Sequence, residues 1–476
     1  MTDSKIYNVL SHFDKVEQNR LRKYIHSPYF NVNETLMQFY DVLSEHINSN
    51  GKAVELSKEK IWMKLYGNEV FNDVRFRKLS SDLLKLVEGF LAQQIFDERN
   101  LLQASFLLEA IGKKKIEKLF NSSVKNAHNL SNQQHYKHAN FYFHQYLIEK
   151  NYYDLSEVEL KRSEKSNVEK VINNLDYFFL AEKMKWYLAL LSRKKLISHE
   201  YQLLFIDEII THLKKYRYEN NPPITVYFHA ILTQTEPENI DYYYSLIKVL
   251  DENSNFFPKV EQYELYSYAL NFCILKINQG RPEFLSEFIQ VIKFMIDKDI
   301  LSYETEKGEL NPWLFKNIVL IALRLNDYTW TEQFIKEYTN KLPLEFRENA
   351  VSYNLAQVYF YKKEYNKVIS ILQFIEYEDV TYNLGSKSML IAIYYEKDEF
   401  EALNSLLESF KTYLNRHKDL AEQRKSLYMN LIKFVRKMTK IMPGDKKSVE
   451  ALKEEIKAAK GIASEKWLLE KLSELE

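Results

Sequence analysis

The chain is 476 residues long and carries 66 Lys plus Arg against 66 Asp plus Glu, so no net field draws it toward nucleic acid or an anionic membrane. Its 9 Gly and 9 Pro fall far below the usage of about 7% and 5% common in globular proteins, which argues against a large β or α/β fold with many tight turns and predicts helices joined by short polar connections. Cys273 is the single cysteine, which excludes an internal disulfide and a thiolate metal cluster.

Met1 to Lys5 lead into Asp14, Glu17, Arg20 and Arg22 without the apolar stretch of a secretory signal. The longest aliphatic run, Ile318 to Leu323, is far short of the roughly 20 residues a membrane span needs. A cytoplasmic protein is expected. Residues 1–47 read as two or three helices interrupted at Ser27-Pro28-Tyr29, with Asn33 capping the helix that carries Leu36, Phe39, Tyr40 and Leu43. After a loop at Asn48 to Gly51, Ser57 caps a short helix with Ile61, Trp62 and Leu65, and turns follow at Tyr66-Gly67-Asn68 and Phe71-Asn72-Asp73.

From Asp73 to about Ile95, Phe76, Leu79, Leu83, Leu86, Val87 and Phe90 recur at three-and-four spacing, and Arg77, Lys78, Ser81 and Lys85 fall opposite. Over residues 57–90 the short helix, turn and longer basic helix resemble a helix-turn-helix or winged-helix unit, which implies that Arg77, Lys78, Ser81 and Lys85 face a DNA groove. The alternative is a cap whose charged face is solvated. Beyond Asn100 long amphipathic segments alternate with polar joints. Ser156 with Glu159 and Ser166 with Glu169 have capping-box spacing, and Ser198 is expected to open a helix carrying Leu203, Leu204, Ile206 and Ile209. Asn220-Asn221-Pro222-Pro223 is the strongest break in the middle of the chain, and Asn278 to Pro282 a further turn.

From Pro312 the chain repeats itself. Tyr353 to Tyr359, a turn at Lys363-Glu364-Tyr365, Val368 and Leu372 are answered about 35 residues later by Leu390, Tyr394, Glu399-Phe400, Leu403 and Leu407. An earlier copy has Ile318, Ala322, Asp327-Tyr328, Ile335 and Leu342-Pro343. Over about 312–411 this pattern resembles the tetratricopeptide repeat, although Phe315, Ser352 and Lys387 stand at its early tryptophan and Thr331, Val368 and Leu403 replace its small residue in the second helix. The resemblance implies an all-α, right-handed α-α superhelix of irregular helical hairpins. In that family the first helix of each pair lines a concave groove, which makes Lys316, Tyr353, Gln357, Tyr361 and Ser388 the expected lining. Leu320 and Ala350 stand where a two-carboxylate clamp needs polar residues, so no particular C-terminal peptide is implied.

The tail beyond Pro443-Gly444 carries Val449, Leu452, Ile456, Ala459, Ala463 and Trp467 on an amphipathic helix bent near Gly461, which suits a terminal cap. The expected organisation is an N-terminal helical domain over 1–100, irregular repeats over 101–440 and a capping helix over 441–476.

Chemistry is sparse. His128, His135, His138 and His144 cluster in sequence, but His135 and His144 differ by half a turn around a helix, and no His-Glu-x-x-His motif occurs. Single glycines build no phosphate loop. Cys273, between Phe272 and Ile274, reads as a core residue. No catalytic residue, cofactor or metal is expected. The expected function is a non-enzymatic scaffold that holds a protein or peptide in its groove; the alternative is a transcription regulator or other nucleic-acid-binding protein using the helix-turn-helix-like unit, with the repeats as sensor.

Overall fold

The computed structural model describes every residue except 50–56, 157–165, 195–200, 304–307, 373–379, 418–419 and 460, and no strand occurs among the described residues. The chain divides into two compact units, Met1–Glu182 and Lys183–Glu476. No described helix is long and apolar enough to cross a membrane.

The first unit opens with α1 (Lys5–Ser11), α2 (Lys15–Ile25), α3 (Glu34–Asn48), α4 (Lys58–Tyr66) and α5 (Asp73–Glu98). Local chemistry sets where these helices start. Asp14 and Glu17 form a capping box, and Asn33, Ser57 and Asn72 accept the N–H groups of Thr35, Lys60 and Arg75, each satisfying a donor the helix itself cannot. The predicted stripe on α5 is buried at Phe76, Leu79, Leu83, Val87 and Phe90, where it shares one core with Leu10, Leu21, Ile25, Phe39, Leu43 and Trp62. Downstream come α6 (Asn100–Lys114), α7 (Glu117–Asn132), α8 (Ala139–Ser156) and the start of α9 (Val168–Lys194). There α6 packs on both α7 and α8 around Leu108, Ala127 and Ile148.

Of the three expected caps, only that at Ser166 lies wholly among the described residues. Glu159 and Ser198 lie outside the described residues. Ser166 accepts the N–H of Val168 at 3.4 Å, one residue ahead of the expected register. Leu203 and Leu204 precede α10 (Ile206–Lys215) and are solvent-exposed, so the apolar run there was only partly helical.

The second unit continues with α11 (Pro222–Thr235), α12 (Asp241–Asn253), α13 (Lys259–Asn278), α14 (Glu283–Asp297), α15 (Pro312–Arg324), α16 (Tyr328–Tyr338), α17 (Leu344–Tyr361), α18 (Tyr365–Leu372), α19 (Val380–Glu396), α20 (Phe400–Arg416), α21 (Glu422–Met438), α22 (Lys446–Ala458) and α23 (Glu465–Glu474). Pro222 and Pro223 do not merely interrupt the chain; they form the first turn of α11, where a proline's missing N–H costs nothing. Each helix from α11 to α20 packs on the next, and α11 also packs on α13, α15 on α17, and α17 on α19. Such nearest-neighbour packing is how stacked helical pairs bury faces that no pair could bury alone.

The turns between paired helices share one geometry. Asn326, Lys363 and Asp398 have φ of 59°, 58° and 58°, each two residues before the second helix of its pair. At each turn the next residue's N–H reaches back five residues: Asp327 to Ala322, Glu364 to Tyr359 and Glu399 to Tyr394. That is the Schellman closure, which satisfies carbonyls left over at a helix end. The same bond recurs upstream at Ile116 to Ile111 and Arg281 to Lys276, following Lys115 and Gly280 in left-handed conformation. The second-helix positions Thr331, Val368 and Leu403 are all fully buried, so the bulkier residues noted in the sequence do sit in equivalent packing slots.

One stability contrast follows from this register. Leu372 is 2% exposed, and Leu372→Ala is expected to cost about 2–5 kcal/mol. Lys362 lies on the turn and pairs with Glu332 in a partly solvated ion pair, so Lys362→Ala should cost less than about 1 kcal/mol. Chemical denaturation of both variants checks the phase of the hairpins: equal small losses would show it to be wrong.

The tail is two helices rather than one bent helix. It breaks at Gly461, whose φ of +87° no continuing helix can accept. Val449, Leu452 and Ile456 of α22 and Leu468 and Leu472 of α23 are buried in one core with Leu407, Phe410, Leu431 and Val435.

Candidate interaction ridge on the first helices

Lys316 is half-buried on α15, and its Nζ lies 5.6 Å from the ring centre of Trp313, 5.2 Å from that of Tyr353 and 5.3 Å from that of Tyr382. The rings come from α15, α17 and α19, the first helices of three successive pairs. Tyr353 and Tyr382 pack with their centres 4.9 Å apart, and Gln357 donates its amide to the Tyr353 hydroxyl at 3.3 Å. An ammonium among aromatic faces gains from the ring quadrupoles, so the cluster is both a packing core and a fixed cationic point.

The closeness of α17 and α19 depends on Gly385. A Cβ at that position would lie 2.1 Å from the Tyr353 hydroxyl oxygen. Beside this contact, Asn354 and Ser386 are buried at 0% and 4% exposure, and Asn354 Oδ1, Gln357 Oε1 and Ser386 Oγ have no hydrogen-bond partner among the described residues. Buried polar atoms are nearly always paired, so three unpaired ones on α17 and α19 are unusual. Farther along α19, the Lys387 ammonium lies 5.4 Å from the Tyr413 ring centre, Asn383 donates to the Tyr413 hydroxyl at 3.2 Å, and Tyr413 packs on His417 at 4.2 Å.

Of the five residues the sequence pointed to, Lys316, Tyr353 and Gln357 come together. Tyr353 and Gln357 are only 3% and 7% exposed, so they form the floor of the ridge rather than its open surface. Ser388 is half-buried and donates to the Leu384 carbonyl of its own helix at 2.9 Å. Tyr361 sits at the far end of α17, where burial raises its hydroxyl pKa and the Arg324 charge pulls the other way. Trp313, Tyr382, Gly385, Lys387 and Tyr413 were not among the expected residues. Trp313 was accessible to sequence reasoning, because it stands three residues before Lys316 on the same helix face.

The helix-turn-helix-like face of α5 is exposed at Arg77, Lys78, Ser81 and Lys85, but its charge is largely answered in place. Arg77 pairs with Asp73 at 2.5 Å and Lys85 with Asp82 at 4.0 Å, while Lys58 reaches Asp73 at 3.1 Å. The Lys58 hydrogen bond holds the Asp73 carboxyl below its ordinary range.

The histidines do not converge. His128 faces Glu149 at 3.9 Å, His135 packs against Tyr136, and His138 Nδ1 accepts the N–H of Asn140 at 3.3 Å. His144 is pushed toward the neutral form by burial. Among the described residues no group of three His, Cys, Asp or Glu side chains could hold a metal ion. Cys273 is fully buried with Sγ 3.4 Å from the Tyr243 hydroxyl, and burial pushes its thiol up to about 12, which matches a core thiol and not a nucleophile.

Comparison with known proteins returns no match: no protein-family model, no curated protein and no solved structure corresponds to this chain.

Proposed function

We propose that the chain is a cytoplasmic, non-enzymatic adaptor whose second unit is a tetratricopeptide-like superhelix that binds a protein or peptide along its first helices. The observation that carries this reading is the position of Lys316. Its ammonium is held among rings from three consecutive first helices, so a ligand meeting that point would engage three pairs at once. Lys387 adds a second cation on the first helix α19, held over the Tyr413 ring of its paired helix α20. Fixed charges and aromatic faces on rigid helices are the usual means by which a groove selects a partner segment at low entropic cost. The alternative of DNA binding through α5 has less support, since Arg77 and Lys85 each have a carboxylate beside them and phosphate attraction supplies most of such affinity.

The test is affinity purification from the native host with wild-type chain, Lys387→Glu and Lys78→Glu. Lys387 is half-buried and Lys78 exposed, so neither substitution empties a core. A partner retained by wild type and by Lys78→Glu, and lost from Lys387→Glu, is the expected result. Retention of every partner by Lys387→Glu would remove the ridge as the binding face.

A further inference from the structure

A second site lies in the first unit, on the side of α5 that faces α2. Arg20, Lys23 and Tyr24 lie about one turn apart on α2 and Ser27 in the turn after it, while Phe90, Gln93, Gln94 and Asp97 stand one and two turns apart on α5; with Phe30 and Glu98 they line a cleft of about 660 Å³. That size is within the range of about 300–1,000 Å³ found for small-ligand pockets. Its floor is aromatic. Tyr24 stacks on Phe30 with ring centres 4.0 Å apart and meets the edge of Phe90 at 5.6 Å. Gly89 lets Tyr24 lie this close, because a Cβ there would fall 2.9 Å from the Tyr24 hydroxyl. A glycine inside a 26-residue helix otherwise costs about 1 kcal/mol relative to alanine, so the seat of Tyr24 is kept against helix propensity.

The banks of the cleft carry opposite charge. Arg20 and Lys23 line the α2 bank, and among the described residues neither forms an ion pair. Asp97 and Glu98 line the other bank in the last turn of α5, a turn without a basic residue. Carboxylates there meet the negative end of the helix dipole, where a cation would be favoured. The Asp97 carboxylate accepts the side-chain amide of Gln93 at 2.8 Å and its backbone carbonyl that of Gln103 at 2.9 Å, and neither Asp97 nor Glu98 has an ion pair among the described residues. The electrostatics therefore favour a cation at the α5 bank and an anion at the α2 bank, beside an aromatic floor that can take a large apolar group.

We propose that this cleft binds a small zwitterion with an aromatic or large aliphatic side chain: an ammonium at Asp97 and Glu98, a carboxylate at Arg20 and Lys23, and the side chain on Tyr24, Phe30 and Phe90. Free aromatic amino acids and short peptides with both termini free share this chemistry. An internal segment of a partner protein does not.

Isothermal titration of the full chain with L-phenylalanine, with the dipeptide Phe-Phe and with N-acetyl-phenylalanine amide separates these sources. One of the two zwitterions should bind, and the capped compound should bind at least tenfold more weakly. A preference for the amino acid or for the dipeptide then identifies the source. Arg20→Glu and Glu98→Lys should each weaken the zwitterion at least tenfold, while Lys78→Glu on the exposed face of α5 leaves it unchanged. Arg20 and Glu98 are exposed, and thermal melting confirms that the variants remain folded; if Arg20→Glu melts early, Lys23→Gln replaces it. Absence of binding by both zwitterions, equal binding of the capped compound, or insensitivity to both charge reversals would each overturn the proposal.

Discussion

Glu396→Ala is expected to destabilise the C-terminal end of the second unit by about 1.5–3 kcal/mol, the cost of removing a charged acceptor from a half-buried network. Glu396 ends α19 and joins two other helices there through three side chains. The Tyr365 hydroxyl of α18 donates to its Oε2, the Trp467 indole of α23 donates to Oε1 at 3.1 Å, and the Lys471 ammonium of α23 lies 3.4 Å from Oε1. The side chains of Glu396 and Lys471 are only 18% and 12% exposed. Loss of the carboxylate takes the acceptor from the Tyr365 and Trp467 donors and leaves the half-buried Lys471 ammonium to pair with Glu474.

The same group predicts a pH response. Burial raises the Glu396 pKa, but hydrogen bonds from Tyr365 and Trp467 and the charge of Lys471 outweigh it and leave the carboxyl below its ordinary range. A carboxyl depressed on folding binds fewer protons in the native state. Its contribution is therefore complete above the unfolded value of about 4.3 and disappears as pH falls through the lower folded value. In wild type, the exchange protection of α23, taken relative to the intrinsic rate at each pH, should fall across that acid window. In Glu396→Gln, already weakened at neutral pH, it should show little further acid dependence from this site. A Glu396→Ala chain whose α23 exchanges as slowly as wild type at pH 7 would show that the network does not hold the tail.

Tyr353→Ala is expected to cost about 3–5 kcal/mol, as for other buried aromatic deletions. Tyr353 is 3% exposed, packs on Tyr382, lies over Lys316 and fills the space left by Gly385. Tyr353→Phe keeps the ring and loses the hydroxyl that accepts from Gln357, for a cost of about 1 kcal/mol. Gly385→Ala should reproduce part of the alanine effect from the other side, since its methyl cannot coexist with the Tyr353 hydroxyl in place. Urea denaturation of the three variants measures the series. A Tyr353→Ala cost as small as that of Tyr353→Phe would mean that the α17 and α19 faces do not meet at this ring.

Periodicity made the hairpins legible because it repeats locally. Tyr328, Tyr365 and Phe400 begin the second helices of their pairs, where the sequence placed the turns. The upstream pairs were harder to read. Of the upstream closures, Gly280 carries the usual glycine marker of a helix end, but Lys115 holds the same left-handed conformation without it. The site was half legible for a related reason. Helical spacing put Lys316 and Tyr353 in equivalent slots, but whether a slot is open or roofed depends on the neighbouring helix. Gly385 was the one local sign of such a roof, as a lone helix-interior glycine often marks close approach. The link from Trp467 to Glu396 spans 71 residues, and nothing in either local sequence announces the other.

The central claim is that a partner lies along the first helices of the second unit. Amide hydrogen exchange of the full chain, alone and with the partner recovered by affinity purification, tests it most directly. Slowed exchange concentrated in α15, α17 and α19, around Lys316, Tyr353 and Lys387, is the predicted result. Protection confined to α5, or to the exposed sides of α16, α18 and α20, would contradict it.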